Sequence, residues 1–156
     1  LMSILKVDTI NEKTSGNGVL IPGHVIQAKC VEWDTAYTHN SSSTVDLMSG
    51  QITIQQGSKI IAMVSIGRYV NASGVWGKAY QMKLYVGTTL IQDTEHVGPN
   101  ATGEESFQHN LMGQTEALNA GTYTIKITGN QIVSTNAHQF NRSPRSSWLI
   151  MQEVSS

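Results

Sequence analysis

The apolar residues of this chain fall into two kinds of stretch. In Ala79–Val86 and Thr122–Thr128 they alternate with polar ones. Tyr80, Met82, Leu84 and Val86 stand against Gln81 and Lys83, and Tyr123, Ile125 and Ile127 against Thr122, Thr124, Lys126 and Thr128. A period of two predicts a strand with one dry face and one wet face. In Lys59–Gly67 (KIIAMVSIG) and Ser147–Val154 (SWLIMQEV) the apolar residues run almost unbroken. Such strands need cover on both faces, or they leave a sticky ribbon in water. A further long strand is predicted from His24 to Asp34, with Val25, Gln27, Lys29, Val31 and Trp33 on one side. Ile26, Ala28, Cys30 and Glu32 take the other side. Val45–Leu47 and Gln51–Gln55 read as two short strands around Ser49-Gly50, Thr35–Thr44 as a polar loop, and Thr88–Asp93 as a hairpin partner through Gly87.

Strands every eight to twelve residues, separated by Gly, Asn and Ser turns and without a convincing helical stripe, predict an all-β domain: a sandwich or jelly roll. The two doubly apolar strands then belong to an inner sheet whose outer side is covered by further copies of the chain. Ile60, Ala62, Val64, Ile66, Trp148 and Ile150 are the residues expected at that interface or in the core. The alternating strands belong to the sheet that faces water. Ahead of the domain, residues 1–22 carry two short β-prone pieces around Asn17-Gly18, a strong turn signal. A segment of that length holds no core of its own, and Pro22-Gly23 marks a boundary. The chain therefore divides into a segment 1–22 and a β-sandwich 23–156. The segment is either a stem or the first hairpin of the sandwich.

The C-terminal part is where a resemblance emerges. Asn141-Arg142-Ser143, a short polar link and a strand ending Met151-Gln152-Glu153-Val154 resemble the C-terminal domains of small tail-fibre and virion proteins of bacteriophages, marine ones especially. Ala120-Gly121-Thr122-Tyr123-Thr124 fits the penultimate strand of the same pattern. Those domains are trimeric jelly rolls of the tumour necrosis factor type, so the resemblance implies a jelly-roll β-sandwich, a homotrimer and a place in a virion. It also favours a strand at Glu104–Met112, where Thr102 and Glu105 alone would fit a helix capping box. Lys6-Val7-Asp8-Thr9-Ile10 resembles the docking segments of phage fibre proteins. Leu5, Val7 and Ile10 are accordingly expected to contact other virion proteins.

Composition narrows the function without naming it. Charged residues make up 13% of the 156, and the formal net charge is -1. Nucleic-acid binding needs clustered Lys and Arg, and only Arg142 and Arg145 stand close together, so no nucleic-acid partner is expected. No apolar run approaches the length of a membrane span, and no membrane partner is expected. The single cysteine, Cys30, allows no internal disulfide and reads as a small buried hydrophobe. His24, His39, His96, His109 and His138 show no metal spacing and read as surface or loop residues. No metal or other cofactor is expected. Asp93, Glu95, Glu104 and Glu105 are too loosely spaced for a glycosidase pair, and no nucleophile-elbow, phosphate-loop or dinucleotide motif occurs. The expectation is a protein that is not an enzyme. Four N-x-S/T sequons, at Asn40, Asn71, Asn100 and Asn141, read as accidents of an Asn-, Ser- and Thr-rich composition.

The loop Tyr69–Gly77 carries the best recognition chemistry. Trp76 offers an apolar face to a sugar ring, Tyr69 a ring with a hydroxyl, and Asn71 and Ser73 hydrogen bonds to hydroxyls. Against this, Trp is usually well buried, and Trp76 would then fold back as a lid over the sandwich end. Three roles remain open: a trimeric fibre or receptor-binding module that docks by its N-terminal segment and meets a host surface glycan, a capsid decoration or head-fibre protein, and a free carbohydrate-binding lectin.

Overall fold

The computed structural model describes residues 23–39, 41–72, 78–98, 103–132, 138–141 and 146–155. Segment 1–22, with Leu5, Val7 and Ile10, lies outside them. Ten strands follow in order: β1 (Val25–Trp33), β2 (Tyr37–His39), β3 (Val45–Ile54), β4 (Lys59–Ala72), β5 (Lys78–Val86), β6 (Thr89–Gly98), β7 (Gly103–Gln114), β8 (Gly121–Gln131), β9 (His138–Phe140) and β10 (Ser147–Val154). They form two antiparallel sheets. One runs β1-β10-β4-β7. Short β9 pairs with Arg68–Val70 of β4 beyond the point where β10 pairs with Ser65, and β2 pairs with β9. The other runs β3-β8-β5-β6. A six-stranded and a four-stranded sheet, joined by connections that cross between them, make a jelly-roll β-sandwich.

The alternating strands β5 and β8 lie side by side in the second sheet, and Met82, Leu84, Ile125 and Ile127 are fully buried against the first. The doubly apolar strands β4 and β10 are neighbours in the first sheet. Ile60, Ala62, Val64, Ile66, Leu149 and Met151 point inward from them and complete the core. The predicted pair of short strands around Ser49-Gly50 is instead one strand, β3, with a register shift between Asp46 and Met48. A bulge spends an extra residue on one strand, and here the consecutive Leu47 and Met48 are both buried. The segment Glu104–Met112 is indeed a strand, and the expected loop Thr35–Thr44 contains β2.

Glu153 also points inward from β10 and is fully buried. Its carboxylate accepts hydrogen bonds from Gln27 Nε2 at 2.6 Å and from the Gln55 backbone N–H at 2.7 Å. Burial alone would raise its pKa, but these bonds and one from Ser58 outweigh it and hold the carboxyl below its ordinary range. Glu153 thereby ties β1, β10 and the β3–β4 turn together.

The strands give the sandwich two distinct poles. Gly23, where the domain begins, donates its N–H to Ser155 O at 2.9 Å, and Val25 pairs with Val154, which pairs with Lys59. The turns at Gln55–Ser58 and Gly87 and the connection from β7 to β8 share this pole: the Leu118 N–H donates to Ser58 O, and that of Gly57 to Leu118 O. Trp33 pairs with Ser147 at the other pole. The strand ends Ala72 and Lys78, Gly98 and Gly103, and Gln131 and His138 lie at this pole, opposite Gly23.

Candidate functional site

Alternation along β1, β10, β4 and β7 sends every second residue to the solvent side of the first sheet, and there the strands are unusually apolar. Pairing places Cys30, Ile150, Met63 and Met112 in one row across four strands. Adjacent rows hold Glu32, Trp148, Ser65 and Asn110 on one side, and Ala28, Gln152, Ile61 and Gln114 on the other. At a strand spacing of about 4.8 Å, each row spans roughly 14 Å. Met112 is 65% exposed and Trp148 38%. A hollow of about 460 Å³ lies between Met63, Gln92, Asn110, Met112 and Trp148, open to the outside. The rim is polar, with Glu32 its charged member at the β1 edge: Ser65 Oγ donates to Asn110 Oδ1 at 2.9 Å and accepts from Gln108 Nε2. An apolar centre inside a rim of amides and hydroxyls is the anatomy of a protein–protein contact.

This geometry separates residues that the sequence grouped together. Ile60, Ala62, Val64 and Ile66 are core, whereas Trp148 and Ile150 are on the outer face with Ile61 and Met63. Cys30 is not a buried hydrophobe; it is exposed on that same face. β1 is an edge strand whose outward residues have no layer above them among the described residues. Of the expected glycan loop, Tyr69 and Asn71 belong to β4, pairing with Ser106 and Glu104 of β7. Ser73 and Trp76 lie outside the described residues, as do Arg142 and Arg145.

A second cluster, at the loop pole, was invisible in the sequence. The reading of the histidines as surface or loop residues fails for three of them: His39, His109 and His138 are buried. His39 and His138 pair across β2 and β9, bracketing Tyr80 of β5. His39 Nδ1 lies 2.8 Å from the Tyr80 hydroxyl, and Arg68 Nη1 lies 3.0 Å from His138 Nδ1. The Arg68 guanidinium also stands 5.5 Å from the Tyr80 ring centroid, and Phe140, Trp33 and Tyr37 complete an aromatic wall. Guanidinium only donates, so His138 accepts at Nδ1 and carries its proton at Nε2. Burial, then the charges of Arg68 and His39, push the His138 pKa down to about 3. Burial likewise lowers His39, against a hydrogen bond that the imidazole donates to the Ser43 backbone and that raises it. Burial pushes the Tyr80 phenol well up. The sequon residue Asn141 is buried here too: its Nδ2 donates to Thr35 O at 3.2 Å, and its Oδ1 accepts from Ser147 Oγ. That side chain is committed to packing and offers no acceptor for a glycan. Among the described residues no group of three or more His, Cys, Asp or Glu could hold a metal ion.

No protein-family model and no curated protein sequence matches the chain. Solved structures do. Dimeric latent PorU from Porphyromonas gingivalis is similar over 91% of this chain, with a TM-score of 0.52 and 10% identity. The chain spans only 14% of the PorU chain, and the likeness is one of fold. The EclA C-terminal domain, described as a sugar-binding protein, is similar over 92% of this chain and 89% of its own, with a TM-score of 0.44 and 11% identity. The VP2 subviral particle of infectious bursal disease virus is similar over 83% of this chain and 38% of its own, with a TM-score of 0.38 and 13% identity.

Proposed function

We propose that this chain is a non-enzymatic structural module of a bacteriophage particle: a homotrimeric jelly roll that docks through residues 1–22 and turns its opposite pole to the host surface. The observation that carries the reading is the apolar row Cys30, Ile150, Met63 and Met112 on the solvent side of the first sheet. A monomer gains nothing from that row, whereas copies packed around an axis bury it. The poles support the same arrangement, since Gly23 lies at one and the strand ends Ala72, Gly98 and Gln131 lie at the other. The bacteriophage setting and the threefold symmetry come from the resemblance of the C-terminal strands. Loops at the free pole are available for recognition because the strands are committed to packing.

Light scattering at micromolar concentration tests the assembly. The expected mass is three times the 17.0 kDa of the chain, and a monomer would refute the reading. Locating the chain in intact particles by cryo-electron microscopy, with and without residues 1–22, tests the docking. A shortened chain that folds and still joins the particle would overturn the role given to Leu5, Val7 and Ile10.

A further inference from the structure

At the pole where the domain begins, away from the expected recognition loop, a cleft of about 630 Å³ opens between the β5–β6 turn, the start of β6, the connection from β7 to β8, and Tyr123 of β8. Its volume is in the range of small-molecule sites. The walls are fixed before any ligand arrives. The Gly87 N–H donates to Thr124 O at 2.8 Å, Leu118 is held by backbone bonds to Gly57 and Ser58, and the Tyr123 hydroxyl donates to Asn119 O at 3.0 Å. A site ordered in advance loses less entropy on binding.

The lining separates into two chemistries. Ile91, Leu118 and the Tyr123 ring are half-buried and apolar, and Leu90 adds a side chain 47% exposed at the mouth. The polar part consists of threonine hydroxyls, the Gln114 amide and the Glu116 carboxylate; among the described residues no Lys, Arg or His lines the cleft. A phosphate, a uronic acid or an acidic peptide would meet a carboxylate with no cation to offset it. A purely apolar ligand would leave the amide and carboxylate without partners. What matches both halves is a flat molecule with an apolar face and several neutral hydroxyls. We infer that this cleft binds a neutral sugar, one pyranose ring laid on Tyr123 and its apolar neighbours, with hydroxyls donated to Glu116 and bonded to Gln114. The site is independent of trimer formation and of the loop carrying Trp76.

Calorimetry and saturation-transfer NMR on the full chain test it, using methyl glucoside, galactoside and mannoside beside glucuronic acid. At least one neutral glycoside should bind saturably in the millimolar range, roughly the level expected of one small shallow site. Glucuronic acid should give no response. Glu116→Ala and Gln114→Ala alter exposed side chains, so both should melt like the parent, and each should weaken binding by about tenfold, the scale of one hydrogen bond to a charged or amide group. Absence of saturable binding by all three glycosides would overturn the inference. So would binding that survives Glu116→Ala but disappears in Trp76→Ala, which would place the sugar at Trp76 instead. A monomeric mass together with Glu116-dependent binding would sink the trimer and leave the cleft standing.

Discussion

Acid should loosen the loop pole of this domain, and His138 is the residue that should make it do so. Its Nδ1 accepts from Arg68 at 3.0 Å, a bond that a protonated imidazole cannot accept. The groups facing it among the described residues are Arg68 from β4, Tyr80 from β5 and His39 from β2, and none of these is a carboxylate. The folded pKa of about 3 lies below the ordinary 6.5, so the unfolded chain takes up the proton first. The corresponding stability is present above pH 6.5 and is lost as the pH falls from there towards 3. At pH 5 the loss from this one group comes to about 2 kcal/mol. For a domain of this size that is a fall in Tm of roughly 4–8 °C. His39, shifted in the same direction, adds to it. The assay is denaturant unfolding at pH 7.5 and pH 5.0, at fixed protein concentration because assembly shifts apparent stability. His138→Gln keeps an acceptor but does not titrate. It should be less stable than the parent at pH 7.5 and should lose about 2 kcal/mol less between the two pH values. Equal losses in parent and variant would refute the assignment of the acid sensitivity to His138.

Four further outcomes are expected. Ile150→Lys should dissociate the assembly while leaving the protomer folded, because Ile150 faces outward; a mass unchanged in light scattering would count against the apolar face as the interface. Cys30 is exposed on the protomer, so a thiol reagent should label it slowly in the assembled protein and at least tenfold faster in Ile150→Lys, roughly the contrast between a covered and an open thiol; equal rates would remove Cys30 from the interface. Glu153→Ala takes the acceptor from the part-buried Gln55 N–H and from Gln27 Nε2 and should cost about 1–3 kcal/mol in denaturant unfolding, and a loss under about 0.5 kcal/mol would show that the network is dispensable. Gly129→Ala puts a Cβ 2.6 Å from Tyr80 Cε1 and 2.7 Å from Leu47 Cδ1, and should destabilise by about 1–3 kcal/mol, measured as a drop in Tm.

The period of two along β5 and β8 was enough to name Met82, Leu84, Ile125 and Ile127 as inward residues, because the strand backbone itself sends successive side chains to opposite faces. The unbroken apolar runs likewise put β4 and β10 together in one sheet, and parity split β1 into its two faces from Gln27 onward; the register shift between Val25 and Gln27 takes Val25 off the face it was expected to share with Gln27. Pattern could not say which side of a doubly apolar strand is the core. Both sides of Lys59–Gly67 read alike, and only the second sheet, by packing on Ile60, Ala62, Val64 and Ile66, left Ile61 and Met63 outside. Cys30 was misread for the same reason: its apolar neighbours in sequence are not its neighbours across the sheet. The buried cluster was further still from view. His39 and His138 are far apart along the chain and meet only because two three-residue strands pair, on top of an arginine and a tyrosine from two other strands. Local sequence sets the direction of each side chain through backbone geometry. Burial of a polar group depends on partners that long-range pairing alone brings within hydrogen-bond reach.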